Sequence, residues 1–434
     1  MMPSSTWPIA LSTAIFGLTY VGILTERIHR SLVAIVGAIA MVSVGTWLSF
    51  YSAEEALEST DANTIALLFG MMVIVGLFRS TGFFEYLAIT AAKLARGRPW
   101  RLFLFLGLAT TLVSMVLDNV TTIILMIPVT MSIADILGIR MIPLLVGEVM
   151  LSNIGGVATL IGDPPNILIG SAAGLSFTEF ITHLAPIVVV TWATAIALLM
   201  FLFRRDLTVQ ARNADRLVKL DPRSALTDRK GTRRLLAVLA GTVILFFVHD
   251  RVGLESGAVA LLGAGAGLLW IWPDARKALE EVHWDVLLFF IGLFIIVGGL
   301  EAAGTLRVVA TSLSSLTTHG LVLASLAVLW TSALMSALVD NVPFTIAMLP
   351  ILAGLQAQGG SVTPLWWALA LGVGLGGNAT PIGATSNVIV MSCSERTPTP
   401  IRTGDWIRRG LPTALTSCIV ASVLQVVAIY AGWF

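Results

Sequence analysis

Residues 155–166 read Gly-Gly-Val-Ala-Thr-Leu-Ile-Gly-Asp-Pro-Pro-Asn, and residues 376–387 read Gly-Gly-Asn-Ala-Thr-Pro-Ile-Gly-Ala-Thr-Ser-Asn. Both stretches interrupt long apolar runs. Because glycine permits non-helical backbone and proline removes a hydrogen-bond donor, each stretch predicts a helix that is broken partway along its length. A second pair of interruptions, Asp118-Asn119-Val120 and Asp340-Asn341-Val342, falls in the same register with one deletion. The chain therefore contains an internal repeat.

The composition is that of a membrane protein. Of the 434 residues, 56% are hydrophobic and only 12% are charged, whereas a soluble domain carries about a quarter charged residues. The apolar runs are long enough to cross a bilayer and show no strand alternation, so we expect an all-α polytopic membrane protein. A net charge of +1 offers no field that would attract nucleic acid. The two cysteines predict neither a disulfide framework nor a thiolate metal site.

The apolar segments divide the chain into two halves with the same plan. Each half is predicted to have five crossings, one of them a broken helix, and a re-entrant hairpin. Because five is odd, the second half is inverted relative to the first, as in many secondary transporters. The predicted ranges are a first repeat over 1–203, with hairpin 101–134 and broken helix 143–173, a basic linker over 204–233, and a second repeat over 234–434, with hairpin 321–355 and broken helix 365–392.

The basic residues predict the orientation of the chain, since Lys and Arg concentrate in cytoplasmic loops. All but Arg251 and Arg307 of the 26 Lys and Arg residues fall in alternate loops. Both termini are therefore expected outside the cell and linker 204–233 in the cytoplasm. This assignment leaves no basic residue at membrane depth.

Polar residues cluster at the four interruptions. Polar groups in a bilayer are costly and are retained mainly where they line a pathway or bind something. Unwound carbonyls can coordinate cations, and half-helix N-termini can face a polar or anionic solute. The residues predicted to bind solute are Asn119, Thr121, Thr122, Asn153, Thr159, Asn166, Asn341, Thr345, Asn378, Thr380, Ser386 and Asn387.

Four carboxyl groups are also predicted at membrane depth: Asp118, Asp340, Asp163 and Glu148. A buried carboxylate without a basic partner either takes up a proton or binds a cation. We therefore predict that these residues couple transport to a proton or cation gradient, with Asp118 and Asp340 as the first candidates.

The motifs at 117–122, 153–166, 339–345 and 376–383 resemble those of the ion-transporter superfamily, and the likeness extends over about 55–430. This superfamily holds arsenite efflux permeases of the ArsB type, NhaD-type sodium/proton antiporters, the P proteins and, more distantly, divalent-anion/sodium symporters. The resemblance implies a scaffold and an elevator-type transport domain, usually in a homodimer. Dicarboxylate transporters of this group carry Ser-Asn-Thr at the hairpin tips, whereas this chain carries Asp-Asn-Val, and two added negative charges would repel a dianion.

The resemblance and the residues together favour arsenite or antimonite efflux coupled to proton antiport in the cell inner membrane. Trivalent arsenic is expected to be an uncharged trihydroxide at neutral pH, which suits amides and hydroxyls beside a proton-carrying aspartate. Sodium/proton antiport by the same aspartates is the alternative.

An intramembrane aspartyl protease, with Asp118 and Asp340 as its dyad, is a remote alternative. An enzyme would not need Asn, Gly and Pro duplicated around both aspartates, so we predict no enzymatic activity, cofactor or bound metal. No Gly-x4-Gly-Lys-Ser/Thr motif occurs in the sequence, so an ATPase partner would be a separate chain.

Overall fold

The computed structural model describes residues 7–434, except residue 26 and residues 210–220, 306–319, 358–361, 396 and 398. Arg307 and part of the predicted linker 204–233 thus lie outside the described residues. Within the described ranges, all regular structure is helical. This confirms the predicted all-α class.

The helices form two series along the chain, and the helix Arg204–Leu207 and the start of the helix Arg229–Val252 fall within the range 204–233 predicted as linker. The first half comprises α1 Trp7–Leu24, α2 Arg30–Trp47, α3 Ala53–Glu58, α4 Ala62–Arg79, α5 Phe83–Ala95, α6 Pro99–Ser114, α7 Asn119–Leu137, α8 Ile142–Gly156, α9 Pro164–Ala173, α10 Phe177–Leu202 and α11 Arg204–Leu207. The second half comprises α12 Arg229–Val252, α13 Ser256–Ile271, α14 Ala275–Glu280, α15 Trp284–Ala302, α16 Leu321–Leu338, α17 Asn341–Ala357, α18 Thr363–Gly376, α19 Thr385–Glu395 and α20 Thr403–Tyr430. Short 3₁₀ turns occupy Pro222–Ser224 and Gly377–Ala379.

The described helices include eight that are long and apolar enough to cross a membrane. Five shorter apolar helices accompany them, among them α6, α8 and α17. The chain is therefore a multi-pass membrane protein. Each range predicted as a hairpin or a broken helix contains two helices with a short segment that is not α-helical between them.

Capping side chains mark the first residue of two long helices. Helix α10 begins at Phe177, where Ser176 and Glu179 form a capping box. Similarly, α12 begins at Arg229, where the Asp228 side chain accepts a hydrogen bond from the Gly231 amide. Hydropathy locates the part of a helix that suits lipid, whereas capping locates the end of the hydrogen-bonded helix.

Helix α5 is not among the predicted elements. At 13 residues it is about 20 Å long, too short to cross a bilayer core of about 30 Å. It buries a face made largely of alanine side chains and packs against α6. The first hairpin thus has a helix lying alongside its first arm.

The two halves are interlocked by equivalent helix contacts. Helix α4 packs against α13, and α2 packs against α15. In the repeat, α15 is the equivalent of α4 and α13 is the equivalent of α2, so the two contacts are equivalent. A Cβ atom on Gly70 would lie 2.6 Å from the carbonyl carbon of Ala260, and one on Gly292 would lie 2.9 Å from that of Ala34. Repeat-related glycines therefore permit the same close approach of helix backbones on both sides of the molecule.

We expect Gly70→Ala and Gly292→Ala each to lower the stability of the protein, because the added methyl group meets backbone that cannot rotate away. Overpacking of this kind costs about 1–3 kcal/mol. Gly265→Ala is the matched control, since a Cβ atom there meets nothing within 4 Å. Thermal unfolding in detergent would measure the effect, and equal midpoints for all three variants would contradict the close approach.

Candidate functional site

Both hairpin tips place an aspartate at the start of a helix. The Asp118 side chain accepts a hydrogen bond of 2.8 Å from the Thr121 amide. The Asp340 side chain accepts one of 3.2 Å from the Val342 amide. Carboxylates favour this position because they satisfy free amides and interact well with the helix dipole. The Asp-Asn pairs at 118–119 and 340–341 therefore occupy equivalent places in the two halves.

The duplicated asparagines of the broken helices hold the unwound backbone. Asn166 donates from Nδ2 to the carbonyl oxygens of Gly156 at 3.0 Å and Thr159 at 2.8 Å. Asn387 donates in the same way to Gly377 at 2.8 Å and Thr380 at 3.0 Å. Both side chains are almost completely buried. Their amide groups thus satisfy carbonyls that the breaks leave without helical partners.

Duplicated hydroxyl groups fasten each hairpin to the broken helix of its own half. Thr159 donates to the Met115 carbonyl, and Thr380 donates to the Ala337 carbonyl, both at 2.5 Å. Ser114 and Ser336 also donate to carbonyls of the broken helices, at 3.0 and 2.7 Å. The two serines are absent from the predicted site, although they match in the repeat register and could have been found there.

Asn153 links the two halves at the centre of the molecule. Its Nδ2 donates to the Oδ1 atoms of Asn378 at 2.8 Å and Asn387 at 2.9 Å. Its Oδ1 accepts a hydrogen bond of 2.7 Å from the Ser386 hydroxyl. The structure thus brings together four of the predicted residues, which bond to one another and to carbonyl groups of the surrounding backbone.

A cavity of about 250 Å³ lies beside this network, and we call it the central cavity. Apolar side chains such as Met72 and Phe289 form much of its wall. Its polar and charged lining consists of Arg30, Asp118, Asn119, Asp163, His283, Asp285, Asn341, Thr385 and Ser386.

Asp163 is the most enclosed carboxyl group of the central cavity, with an exposed fraction of 4%. Asn341 from the opposite hairpin tip donates to it at 3.2 Å. Asp118 and Asp340 lie close enough to act on it electrostatically. Asp163 therefore lies where the hairpin tips of both halves approach one broken helix.

The prediction that Asp340 has no basic partner is wrong. The Arg30 guanidinium lies 3.2 Å from the Asp340 carboxylate and donates to the Thr385 hydroxyl at 2.8 Å. It also lies 5.3 Å from the centre of the Phe289 ring. The distribution of basic residues assigns Arg30 to a loop, and the structure makes it the first residue of α2. Its long apolar stem lets its charge reach groups several ångströms away.

Other predicted residues lie outside the central cavity. Glu148 is 1% exposed and accepts a hydrogen bond of 2.8 Å from Thr130, while its second oxygen has no partner among the described residues. Thr121 lines a separate narrow cleft. Thr345 donates to the Asn341 carbonyl, and the Thr122 hydroxyl is buried without a partner among the described residues. The predicted set thus separates into cavity-lining residues and residues that hold the surrounding backbone.

The lining favours no metal centre. Among the described residues, no group of three or more His, Cys, Asp and Glu side chains could hold a metal ion. The cavity instead offers single carboxyl, amide and hydroxyl groups set in apolar walls. Such a lining can exchange protons and form hydrogen bonds with a small solute.

The chain is similar to several known membrane transporters and to the P proteins. The family model described as citrate transporter matches residues 20–372. An uncharacterized transporter of Mycobacterium tuberculosis is 40% identical over 420 residues, which cover 95% of this chain and 97% of that protein. The P protein of Homo sapiens is 30% identical over an alignment of 511 residues. The alignment covers 98% of this chain and 60% of that protein.

A solved structure shares the fold. The YdaH transporter of Alcanivorax borkumensis, described as having an unusual topology, aligns with a TM-score of 0.64 and 16% identity. The alignment covers 94% of this chain and 99% of that one.

We expect Asn166→Asp to destabilise the protein, because a carboxylate would face carbonyl oxygens that now accept hydrogen bonds from the amide. Leaving these buried carbonyls unpaired costs about 1–3 kcal/mol. Asn63→Asp is the matched control, since the Asn63 Oδ1 accepts a bond of 2.6 Å from the Gly257 amide and aspartate can do the same. Comparison of thermal midpoints in detergent tests this, and an unchanged midpoint for Asn166→Asp would contradict it.

Proposed function

This chain belongs to the citrate transporter family (CitMHS) of the ion-transporter superfamily and is a secondary transporter, and we propose that it exports arsenite or antimonite in exchange for protons. The observation that carries the proposal is the charge of the central cavity. Asp118, Asp163 and Asp285 line it, while Arg30 is the only Lys or Arg among its described lining residues. Arg30 is moreover paired with Asp340.

An acidic cavity disfavours citrate as the solute. Citrate carries several negative charges at neutral pH, and like charges in a site of low dielectric repel strongly. The guanidinium that would attract such an anion already has a carboxylate partner. The name of the family model therefore does not extend to the solute of this chain.

An uncharged trihydroxide of arsenic or antimony fits the remaining features. Its hydroxyl groups can donate to carboxylates and accept from the amides of Asn119 and Asn341. The cavity volume of about 250 Å³ holds a solute of a few heavy atoms together with water. The extensive apolar wall, with Met71 and Met72, suits a neutral solute better than a free ion.

Proton coupling is favoured over sodium coupling by the state of the unwound carbonyls. In many transporters such carbonyls coordinate sodium. Here Asn166 and Asn387 donate to them, so that the side-chain amides occupy the place of a cation. Asp163, without an arginine or lysine contact among the described residues, is the group that we propose carries the proton.

Sodium/proton antiport is the second candidate. It is favoured by the electrostatic effect of Asp118 and Asp340 on Asp163, because neighbouring negative charges raise the affinity of a carboxylate for a cation as well as for a proton. In either case we propose an elevator motion in which the hairpins and broken helices move against a scaffold that includes α2, α4, α13 and α15. We also propose a homodimer in the cell inner membrane, with both termini outside and linker 204–233 in the cytoplasm.

We expect Asp163→Asn to reduce proton-driven transport by at least about tenfold, since the amide keeps the shape of the side chain but cannot carry a proton. Asp135→Asn, on the exposed face of α7 in the first hairpin, is the matched control and should leave transport unchanged. Uptake into everted vesicles under an imposed pH gradient measures both. Transport by Asp163→Asn at the wild-type rate would exclude Asp163 as the proton carrier.

The solute itself is tested with purified protein in proteoliposomes under an imposed pH gradient. Arsenite, antimonite, sodium and citrate are supplied in turn, and we expect movement of arsenite and antimonite that stops when the gradient is dissipated. Movement of sodium alone would establish the second candidate. Movement of citrate alone would show that the charge argument is wrong.

A further inference from the structure

A second cavity adjoins the central cavity. It has a volume of about 330 Å³, and we call it the vestibule. Residues of its wall, including Ile28 and His29, are exposed at the surface of the protein. Three residues line both cavities: Arg30, Asp285 and Thr385. These side chains therefore form the partition between the vestibule and the central cavity.

At this partition Arg30 contacts two different elements. From α2 it reaches Asp340 at the tip of the second hairpin, at 3.2 Å. It also reaches Thr385 at the start of α19, at 2.8 Å, and Thr385 in turn donates to Asp340 at 2.5 Å. The ring of Phe289 lies 5.3 Å from the guanidinium. One side chain thus ties α2 to both the hairpin and the broken helix of the second half.

We propose that Arg30 is a gating residue whose contacts with Asp340 and Thr385 control passage between the vestibule and the central cavity. The inference rests on the proposed function only in taking the central cavity as the solute site. Breaking the two contacts frees the hairpin tip from α2 and connects the two cavities. In the first half, the described structure places no arginine or lysine against the corresponding Asp118, so this gate belongs to one hairpin.

A second ion pair provides a matched control. Arg79 contacts Glu281 at 2.5 Å beside the narrow cleft, of about 30 Å³, that shares Met72, Ile124 and His283 with the central cavity. Its partners lie away from the partition. Removing Arg79 therefore deletes an arginine ion pair near the same cavity without touching the proposed gate.

The experiment measures the accessibility of introduced cysteines in the purified full-length chain. Cys393 and Cys418 are first replaced by alanine. Ala384→Cys then reports on the central cavity, where the residue is 5% exposed, and Ile382→Cys reports on the vestibule, where it is 49% exposed. A cationic methanethiosulfonate reagent is added, and mass spectrometry gives the rate of modification.

In the Arg30→Ala background we expect the rate at Ala384→Cys to rise about tenfold, the usual effect of losing a hydrogen bond to a charged group. The rate at Ile382→Cys should change little, and Arg79→Gln should alter neither rate. Asp340→Asn should raise the rate at Ala384→Cys in the same way, without adding to the effect of Arg30→Ala, because both substitutions break one contact.

An unchanged rate at Ala384→Cys in Arg30→Ala would overturn the proposal. So would an equal rise at both cysteines, which would indicate general loosening of the protein. If Arg30→Ala does not purify as a monodisperse sample, Arg30→Lys replaces it, since lysine keeps the charge but cannot bridge both partners with a planar group. The assay contains neither solute nor pH gradient, so a negative result in it does not contradict the proposed transport reaction. Likewise, a negative result in the transport assay does not contradict the gating role of Arg30.

Discussion

Broken helices in an apolar interior must satisfy the backbone groups that the breaks expose, and the rest of this structure depends on that constraint. When such groups are buried away from water, each one that stays unpaired costs several kilocalories per mole. Asn166 and Asn387 meet the requirement with side-chain amides. The hydroxyl groups of Thr159 and Thr380 form hydrogen bonds that connect each broken helix to the hairpin of its own half. Many of the polar residues at the centre therefore stabilise an irregular backbone, and their hydrogen-bonding groups are not free to bind a solute.

The same constraint explains how the halves are joined. The first hairpin packs against α19, and the second hairpin packs against α9, so each break is covered by the other half. Asn153 and Asn341 cross this boundary, one to Asn387 and one to Asp163. Because each half supplies polar partners for the other, the duplicated sequence forms one site.

The two halves of the repeat differ in the charged residues that they bring to the cavities. Asp163 has Ala384 as its counterpart, so only one broken helix brings a carboxyl group to the central cavity. Arg30 contacts the hairpin tip of the second half, and within the described residues no arginine or lysine contacts Asp118. A symmetric scaffold thus carries an asymmetric distribution of charge. The proposed proton carrier, Asp163, and the proposed gating residue, Arg30, both belong to this asymmetric part of the molecule.

The sequence by itself determined the helical class, the internal repeat, the hairpins and the broken helices. These features follow from hydropathy and from glycine and proline at fixed spacings, which are local properties of the chain. It also placed Asp118 and Asp340 at equivalent positions. It could not separate residues that line the cavity, such as Asn341, from residues that hold backbone, such as Asn166, because both are asparagines in the same kind of segment.

Only the tertiary structure decided which charges meet. Arg30 lies 310 residues from Asp340 in the sequence, and no local pattern links the end of one helix to the tip of a distant hairpin. Glu148 shares the apolar setting of Asp163 in sequence, yet packing places it between Thr110 and Thr130, away from the central cavity. Electrostatic interactions depend on distance in space, and that distance is fixed by the way the two halves pack together.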